Sequence, residues 1–344
     1  MGTRETLEAE LLKEQASGFF SDVYVEAGRL DQSSAAYSFG DTSSLFDLAS
    51  LTKALATGPL THHYLRDHSF EISAPLKEWV PADWQSAFSS DLMNLSAEVL
   101  LAHQSGLPAW RNFWMGHLNE GPAPAPSIKN PIIPETFARL NTLSTGPDTY
   151  SDLGYILLGY ALEATAGRSL PALWEAYLKP LGMLSSDLGY RPQLKSSESF
   201  VPSAYCAIRE RLLLGEVHDE NCAALGGVAG HAGLFGRGPA VGDFLRKLSH
   251  SIEGSAYLKI NHDLLAAHSF EGLSGMRRGN GTSAALFADG KGMGHLGFTG
   301  TAFWMDLPSK RYAIFLSNRV ISGRLNPHTT TVRRQVFGLL NELA

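Results

Sequence analysis

The sequence predicts an α/β fold in which strands from both ends of the chain build one domain and a mostly helical region is inserted between them. Three observations carry this. Alternating, strand-like stretches follow the N-terminal helix, apolar strand-like stretches gather near the C-terminus, and the intervening residues read as helices and loops. The expected division is residues 1–72 with 225–344 as a discontinuous α/β domain, and 73–224 as the helical region.

Taken in order, Leu7, Leu11 and Leu12 lie at helical spacing among charges and predict an amphipathic helix. "SDVYVEAGRL" and "SSAAYSFGD" predict two short strands joined by a turn around residues 28–32. In "LFDLASLTKALATGPLTHHYLRD", Leu48, Leu51, Leu55 and Leu60 sit near helical spacing, and Gly58-Pro59 is placed to kink or shift that helix. The proline-dense "GPAPAPSIKNPIIP" at 121–134 reads as an extended surface loop acting as a connector. "YILLGYALEATAG" predicts an amphipathic helix from Tyr155 that stops at Gly167. "HLGFTGTAFWMDLPSKRYAIFLSNRV" predicts two apolar strands around a turn at 308–311, and a last helix runs from about Thr329 to Glu342. There is no internal repeat.

Composition narrows the function. The chain has 344 residues, 44% hydrophobic and 18% charged, as an ordinary globular protein does. Its formal charge is −6 and it has no Lys/Arg-rich run, which argues against a nucleic-acid or acidic-membrane partner. No apolar run reaches the roughly 18 residues of a membrane span. The charged first helix lacks the continuous apolar core of a signal peptide, so the sequence as given predicts a cytoplasmic protein; removal of a leader would make it periplasmic or secreted. Cys206 and Cys222 form neither a CxxC pair nor a metal-ligand spacing and read as structural. No His-x-x-x-His or carboxylate cluster points to a metal, so neither metal nor cofactor is expected. Oligomeric state leaves no signal in the sequence.

The chemistry starts at Ser50-Leu51-Thr52-Lys53. Residues three apart on a helix share a face, so Lys53 can reach Ser50 and tune or take its proton. A helix N-terminus there would also favour a developing oxyanion. Alone, Ser-x-x-Lys is a weak signal. It is followed by Tyr150-Ser151-Asp152 ahead of a helix and by His295-Leu296-Gly297 at the expected start of a strand. No Gly-x-Ser-x-Gly elbow is present.

The order of these three motifs, with the blocks "FDLASLTK", "LLAHQSGLP", "YSDLGYILLG", "PLGM", "GEVHDENCAALGGVAGHAGLF" and "GHLGFTGT", resembles the β-lactamase-related serine hydrolases. That family includes class C β-lactamases, penicillin-binding D-Ala-D-Ala peptidases and related esterases. The resemblance covers about 46–320. It implies a central antiparallel sheet flanked by helices, a mostly helical second region, and a site in the cleft between them. It also implies Ser50 as nucleophile, Lys53 as its activating neighbour and Tyr150 as the proton relay, its phenol lowered by the Lys53 cation. Asp152 stands where asparagine is more familiar; it either holds Lys53 as an ammonium or caps the helix that follows, two compatible roles. His295 replaces a lysine, which disfavours a substrate carboxylate anchored on a fixed cation. The Ser50 and Phe298 amides form the implied oxyanion hole, with Gly297 admitting close approach of substrate and Thr299 counted with them among the oxyanion and substrate-binding residues.

Softer candidates are His103, Ser105 and His231 as loop buttresses, Arg319 as a solvated strand-end arginine or a carboxylate anchor, and His62-His63 on the exposed side of a helix. The expected activity is acyl-enzyme hydrolysis of a D-amino-acid peptide, such as a peptidoglycan stem, or of a small ester. The rival from another class is a non-catalytic module that senses wall fragments.

Overall fold

The computed structural model describes residues 2–112, 137, 149–191, 198–251, 254, 256–259 and 292–344. The predicted loop at 121–134 lies outside them.

The N-terminal helix α1 (Thr3–Ala16) leads into β1 (Val23–Arg29) and β2 (Tyr37–Gly40). It buries Leu7 and Leu11 but leaves Leu12 exposed. Near the C-terminus come β8 (Met293–Leu296), β9 (Ala302–Asp306) and β10 (Arg311–Ser317). All five join in one antiparallel sheet of order β2-β1-β10-β9-β8. The C-terminal "two strands" are therefore three: Gly300 adopts φ +122° and turns the chain at 297–301, so His295-Leu296-Gly297 closes a strand instead of starting one.

Alternation explains why this sheet is buried on both faces. Val23, Val25, Ala27, Trp304, Ala313 and Phe315 meet α1 and the last helix, α11 (His328–Leu343). Tyr24, Phe303, Met305, Ile314 and Leu316 face the opposite way, toward α10 (Gly238–His250). On that side Glu26 is buried and accepts from Arg246 Nη1 at 2.8 Å and from the Tyr24 and Tyr312 hydroxyls. A Cβ on Gly242 of α10 would stand 1.9 Å from the Glu26 carboxylate, so only glycine lets the helix lie this close.

A second, three-stranded sheet has the order β3-β7-β4, from β3 (Phe46–Asp47), β4 (Leu188–Tyr190) and β7 (Leu234–Gly236). Out of β3 the chain turns at Ala49 into a helix whose residues 53–57 form a π turn, continuing as α2 (Gly58–Asp67). This is the shift foreseen at Gly58-Pro59. Pro59 has no N–H for the Leu55 carbonyl, and the Gly58 N–H instead reaches back five residues to the Lys53 carbonyl.

The helical part opens with single turns α3 (Leu76–Trp79), α4 (Trp84–Ala87), α5 (Ser90–Met93) and α6 (Ala97–Leu101). They pack with α7 (Asp152–Ala166) around Trp79, Trp84, Leu100, Ile156 and Leu157. Against expectation α7 is buried on all sides from Leu153 to Glu163, so it is a core helix and not an amphipathic one. It ends at Gly167, φ +62°, as foreseen. Next come α8 (Leu170–Leu178), the hairpin β5 (Tyr205–Cys206) and β6 (Arg211–Leu212), and α9 (Glu220–Ala224). Among the described residues no helix is long and apolar enough to cross a membrane.

Candidate active site

Three segments meet at Ser50: the strand-to-helix turn that carries it, the start of α7, and the 297–301 turn after β8. The first is pinned by β3. Its Leu48 N–H donates to the Leu234 carbonyl (3.0 Å), and Thr52 ties the same strands by donating to Ala49 O and accepting from Leu234 N. Leu51 and Leu55 are fully buried beneath it, each contributing about 1.5–3 kcal/mol relative to exposure.

Lys53 is fully buried, and its Nζ lies 3.0 Å from Ser50 Oγ, 2.7 Å from Asp152 Oδ1 and 3.3 Å from the His231 carbonyl. The carbonyl reaches it because Gly230 lets this loop touch α7: a Cβ there would fall 2.0 Å from the Tyr155 carbonyl oxygen. Burial pulls the Lys53 pKa down, but the Asp152 carboxylate and the Tyr150 oxygen outweigh it, so the group sits above the ordinary lysine range as an ammonium. The Tyr150 and Tyr155 rings lie 4.9 and 5.6 Å from that cation.

Tyr150 is hydrogen-bonded to both Lys53 and Ser50, yet its phenol titrates above its usual range. Burial is the largest cause, Lys53 opposes it, and Asp152 reinforces it. The expected lowering by Lys53 is thus reversed in the resting site, because desolvation of a phenolate costs more than one already-paired cation returns.

Asp152 does not cap α7. Ser151 does, accepting from Gly154 N, and Asp152 is the first helical residue, free to face Lys53. The 101–111 segment fixes this helix start. Ser151 N–H donates to His103 Nδ1 (2.9 Å), Ser151 Oγ to Pro108 O, Asp152 N–H to Ala109 O, and the Tyr155 hydroxyl to Leu101 O. His103, in left-handed backbone (φ +57°), also lays its ring 4.3 Å from that of Tyr150. Ser105 Oγ accepts from Leu107 N within this loop. His62 and His63 are half-buried on α2, with the His63 ring against Tyr177 and His62 against Tyr257.

The third segment is locked to the first. Thr299 is buried, and its hydroxyl donates to the Asp47 carbonyl (2.7 Å), so it braces the turn. Thr301 Oγ1 donates to Leu48 O. A Cβ on Gly297 would fall 2.0 Å from Thr301 Oγ1 and 2.9 Å from Leu48 O, so this glycine permits the turn's close approach to the Ser50 segment. Among the described residues neither the Ser50 nor the Phe298 N–H donates to a protein acceptor, leaving both available to a developing oxyanion. His295 is buried, its Nδ1–H donates to the Leu296 carbonyl (2.8 Å), and its ring is 6.0 Å from that of Tyr150.

Arg319 is neither solvated nor at a strand end. It sits buried in the short 3₁₀ turn Arg319–Ser322, donates to the Phe298, Gly323 and Arg324 carbonyls, and lies 5.0 Å over the Phe298 ring. Arg324 covers the same ring at 5.2 Å, and the His218 ring lies 5.4 Å away. Burial and the Arg324 charge push His218 down to about 4, so it is neutral near pH 7.

Several residues of the site went unremarked in the sequence. Asp47 is buried and accepts from two backbone amides; desolvation pushes its carboxyl up to about 6 against those bonds. Asp219 holds His231 Nε2 at 2.8 Å, and despite burial that partner and the Cys222 N–H keep it well below the usual carboxylate range. Arg333, from α11, donates to the Gly297 carbonyl at 2.7 Å. Asp47 and Asp219 fall inside the quoted blocks, while nothing local marks Arg333. Among the described residues no group of His, Cys, Asp and Glu could hold a metal ion.

A family model described as Beta-lactamase matches residues 35–336. A protein of Escherichia coli (strain K12), provisionally named a D-alanyl-D-alanine carboxypeptidase, is 26% identical over 317 residues, 83% of this chain and 71% of that protein. An N-acetylmuramyl-L-alanine amidase of Bacillus subtilis (strain 168) is 27% identical over 324 residues, again 83% and 71%. In three dimensions the fold is similar to that of a D-amino acid amidase from Ochrobactrum anthropi SV3, with TM-score 0.70, 16% identity, and 98% and 97% of the two chains covered.

Proposed function

The chain belongs to the β-lactamase family, and from that premise we propose that it is a serine hydrolase working through an acyl-enzyme on Ser50. The observation that carries the reading is the Lys53 ammonium, fully buried, 3.0 Å from Ser50 Oγ and held there by Asp152. A buried cation so placed stabilises negative charge growing on the serine oxygen.

In the reaction Ser50 Oγ bonds to the acyl carbon while the carbonyl oxygen gathers charge against the Ser50 and Phe298 amides. Tyr150, in contact with Ser50 and Lys53, passes the serine proton to the leaving group. Water then attacks the acyl carbon, the bond from that carbon to Ser50 Oγ breaks, and a proton from the water passes through Tyr150 to Ser50. Because the Tyr150 phenol rests above its usual range while Lys53 stays an ammonium, kcat/KM for acylation rises with pH on the alkaline side of neutrality as Tyr150 becomes easier to deprotonate.

A D-amino-acid peptide, such as a peptidoglycan stem, is the proposed acyl donor. The relatives named as a D-alanyl-D-alanine carboxypeptidase and an N-acetylmuramyl-L-alanine amidase support it. In the cytoplasm such donors are recycled muropeptides; outside it they are the wall itself. A small ester is the second reading, favoured by His295, a buried imidazole bonded to the backbone where a fixed cation would anchor a carboxylate.

Intact mass after incubation with a penicillin and, separately, a p-nitrophenyl ester tests this, with Ser50→Ala as control. A lasting penicillin adduct absent from the variant supports a wall peptidase, and ester turnover lost in the variant without an adduct supports the esterase. Turnover that survives in Ser50→Ala overturns the mechanism, and a chain that takes up no acyl group from either reagent has an unusual substrate or is the wall-sensing module.

A further inference from the structure

The residue in front of the nucleophile has a backbone conformation that its side chain disfavours. Ala49 has φ +47°, in the left-handed region, where a Cβ crowds the backbone. It is the pivot at which the chain leaves β3 and enters the Ser50 helix, so its dihedral angles decide where Ser50 Oγ and the Ser50 N–H point. Such an angle persists only where neighbours impose it.

Thr52 holds the Ala49 carbonyl through its hydroxyl and its N–H, and Asp47 holds the Ala49 N–H. Asp47 Oδ1 accepts from the Ala49 N–H at 2.9 Å, across two residues, and its Oδ2 accepts from the His218 N–H at 2.7 Å. Its backbone carbonyl takes the Thr299 hydroxyl at 2.7 Å. One buried residue thus grips the nucleophile turn, the loop before α9 and the oxyanion turn. Its other charged neighbours are Asp219 and Arg209, and Arg209 is itself fixed on the Val217 and His218 carbonyls.

We propose that Asp47 is a positioning residue for Ser50: its carboxylate holds Ala49 left-handed and thereby aligns the nucleophile with Lys53 and with the oxyanion amides. This rests on Ser50 being the nucleophile. Asp47 itself touches no reacting atom.

The proposal makes an unusual demand, that glycine at 49 should substitute for the aspartate. Glycine adopts positive φ without a Cβ penalty and needs less holding. The experiment follows p-nitrophenol release in a single turnover of a p-nitrophenyl ester, with half-saturation and urea unfolding midpoints measured in parallel. The proteins are wild type, Asp47→Ala, Ala49→Gly, the double variant and Ser50→Ala. Asp47→Ala should slow acylation on the order of 10²-fold while half-saturation stays within about threefold. Ala49→Gly alone should change the rate less than about threefold, and in the double variant it should restore at least about tenfold without restoring the unfolding midpoint.

Acylation by Asp47→Ala within about threefold of wild type overturns the proposal. So does a double variant as slow as Asp47→Ala, which would show the aspartate acting through the 218 loop alone. If Asp47→Ala does not fold, Asp47→Asn is measured in its place: it keeps one acceptor for the Ala49 N–H and turns an NH₂ toward the His218 N–H, so acylation within about tenfold of wild type supports the proposal and a loss on the order of 10²-fold overturns it. Wild-type turnover by Ser50→Ala overturns the serine mechanism and, separately identifiable, the positioning role with it.

Discussion

Asp152 acts on two titrations at once. It raises Lys53, keeping the ammonium beside Ser50, and it raises Tyr150 by opposing a phenolate nearby. Both effects make the site harder to deprotonate. In Asp152→Asn the burial of Lys53 is no longer outweighed by that carboxylate, and Tyr150 loses one of the influences holding it up, so both groups move down. The expected outcome is an alkaline limb of the kcat/KM profile that starts at lower pH, measured with an ester across pH 5 to 10; an unmoved limb would remove Asp152 from the proton relay. The Ser50, Lys53 and Tyr150 grouping was legible because spacing and motif order are local signals. The direction of the Tyr150 shift was not, since it depends on desolvation that only the packed helix α7 imposes. Asp47 stayed unnoticed for a similar reason, as nothing in "FDLAS" tells an aspartate that turns inward from one that faces water.

At the scale of elements, the junction of α7 and α8 carries a buried carboxylate whose chemistry is measurable. Glu163, near the end of α7, accepts the Leu170 N–H at 2.7 Å, one of the donors at the start of α8 that has no partner inside its own helix. Burial pushes this carboxyl up to about 7, only partly offset by that bond. A carboxylate raised on folding contributes stability that is fully present below its unfolded pKa, near 4.5, and lost as pH rises through about 7. Urea unfolding should therefore show this contribution declining between pH 5 and pH 8, by about 2–3 kcal/mol. Glu163→Gln keeps an acceptor for Leu170, removes the titration, and should be the flatter and, at pH 8, the more stable protein. Element types were largely readable from periodicity; what periodicity missed was burial on every side of α7, because an apolar helix reads alike whether one face or all of it is covered. The third C-terminal strand was missed as well, since the Gly-rich turn at 297–301 hides in an apolar run.

The whole molecule is organised around a central sheet with α1 and α11 on one face and α10 on the other, and its polar anchor is the Glu26–Arg246 pair with two tyrosines. Arg246→Met leaves Glu26 buried without its cation and should cost about 3–5 kcal/mol in urea unfolding. Activity per folded molecule should stay unchanged, because none of these groups contacts the site. The α/β architecture with its helical insertion was predictable because strands at both chain ends have few ways to pair except with each other. That pairing sets β1 against β10, about 290 residues downstream. A ribosome adding about 5–20 residues per second makes Ser50 early and the 297–301 turn late. Until that turn is made the chain therefore carries Ser50 with the Phe298 half of the proposed oxyanion hole missing and the inner partner of β1 unmade. A copy clipped ahead of β8 would keep Ser50 but lack both the Phe298 amide and the strand that the proposed site needs.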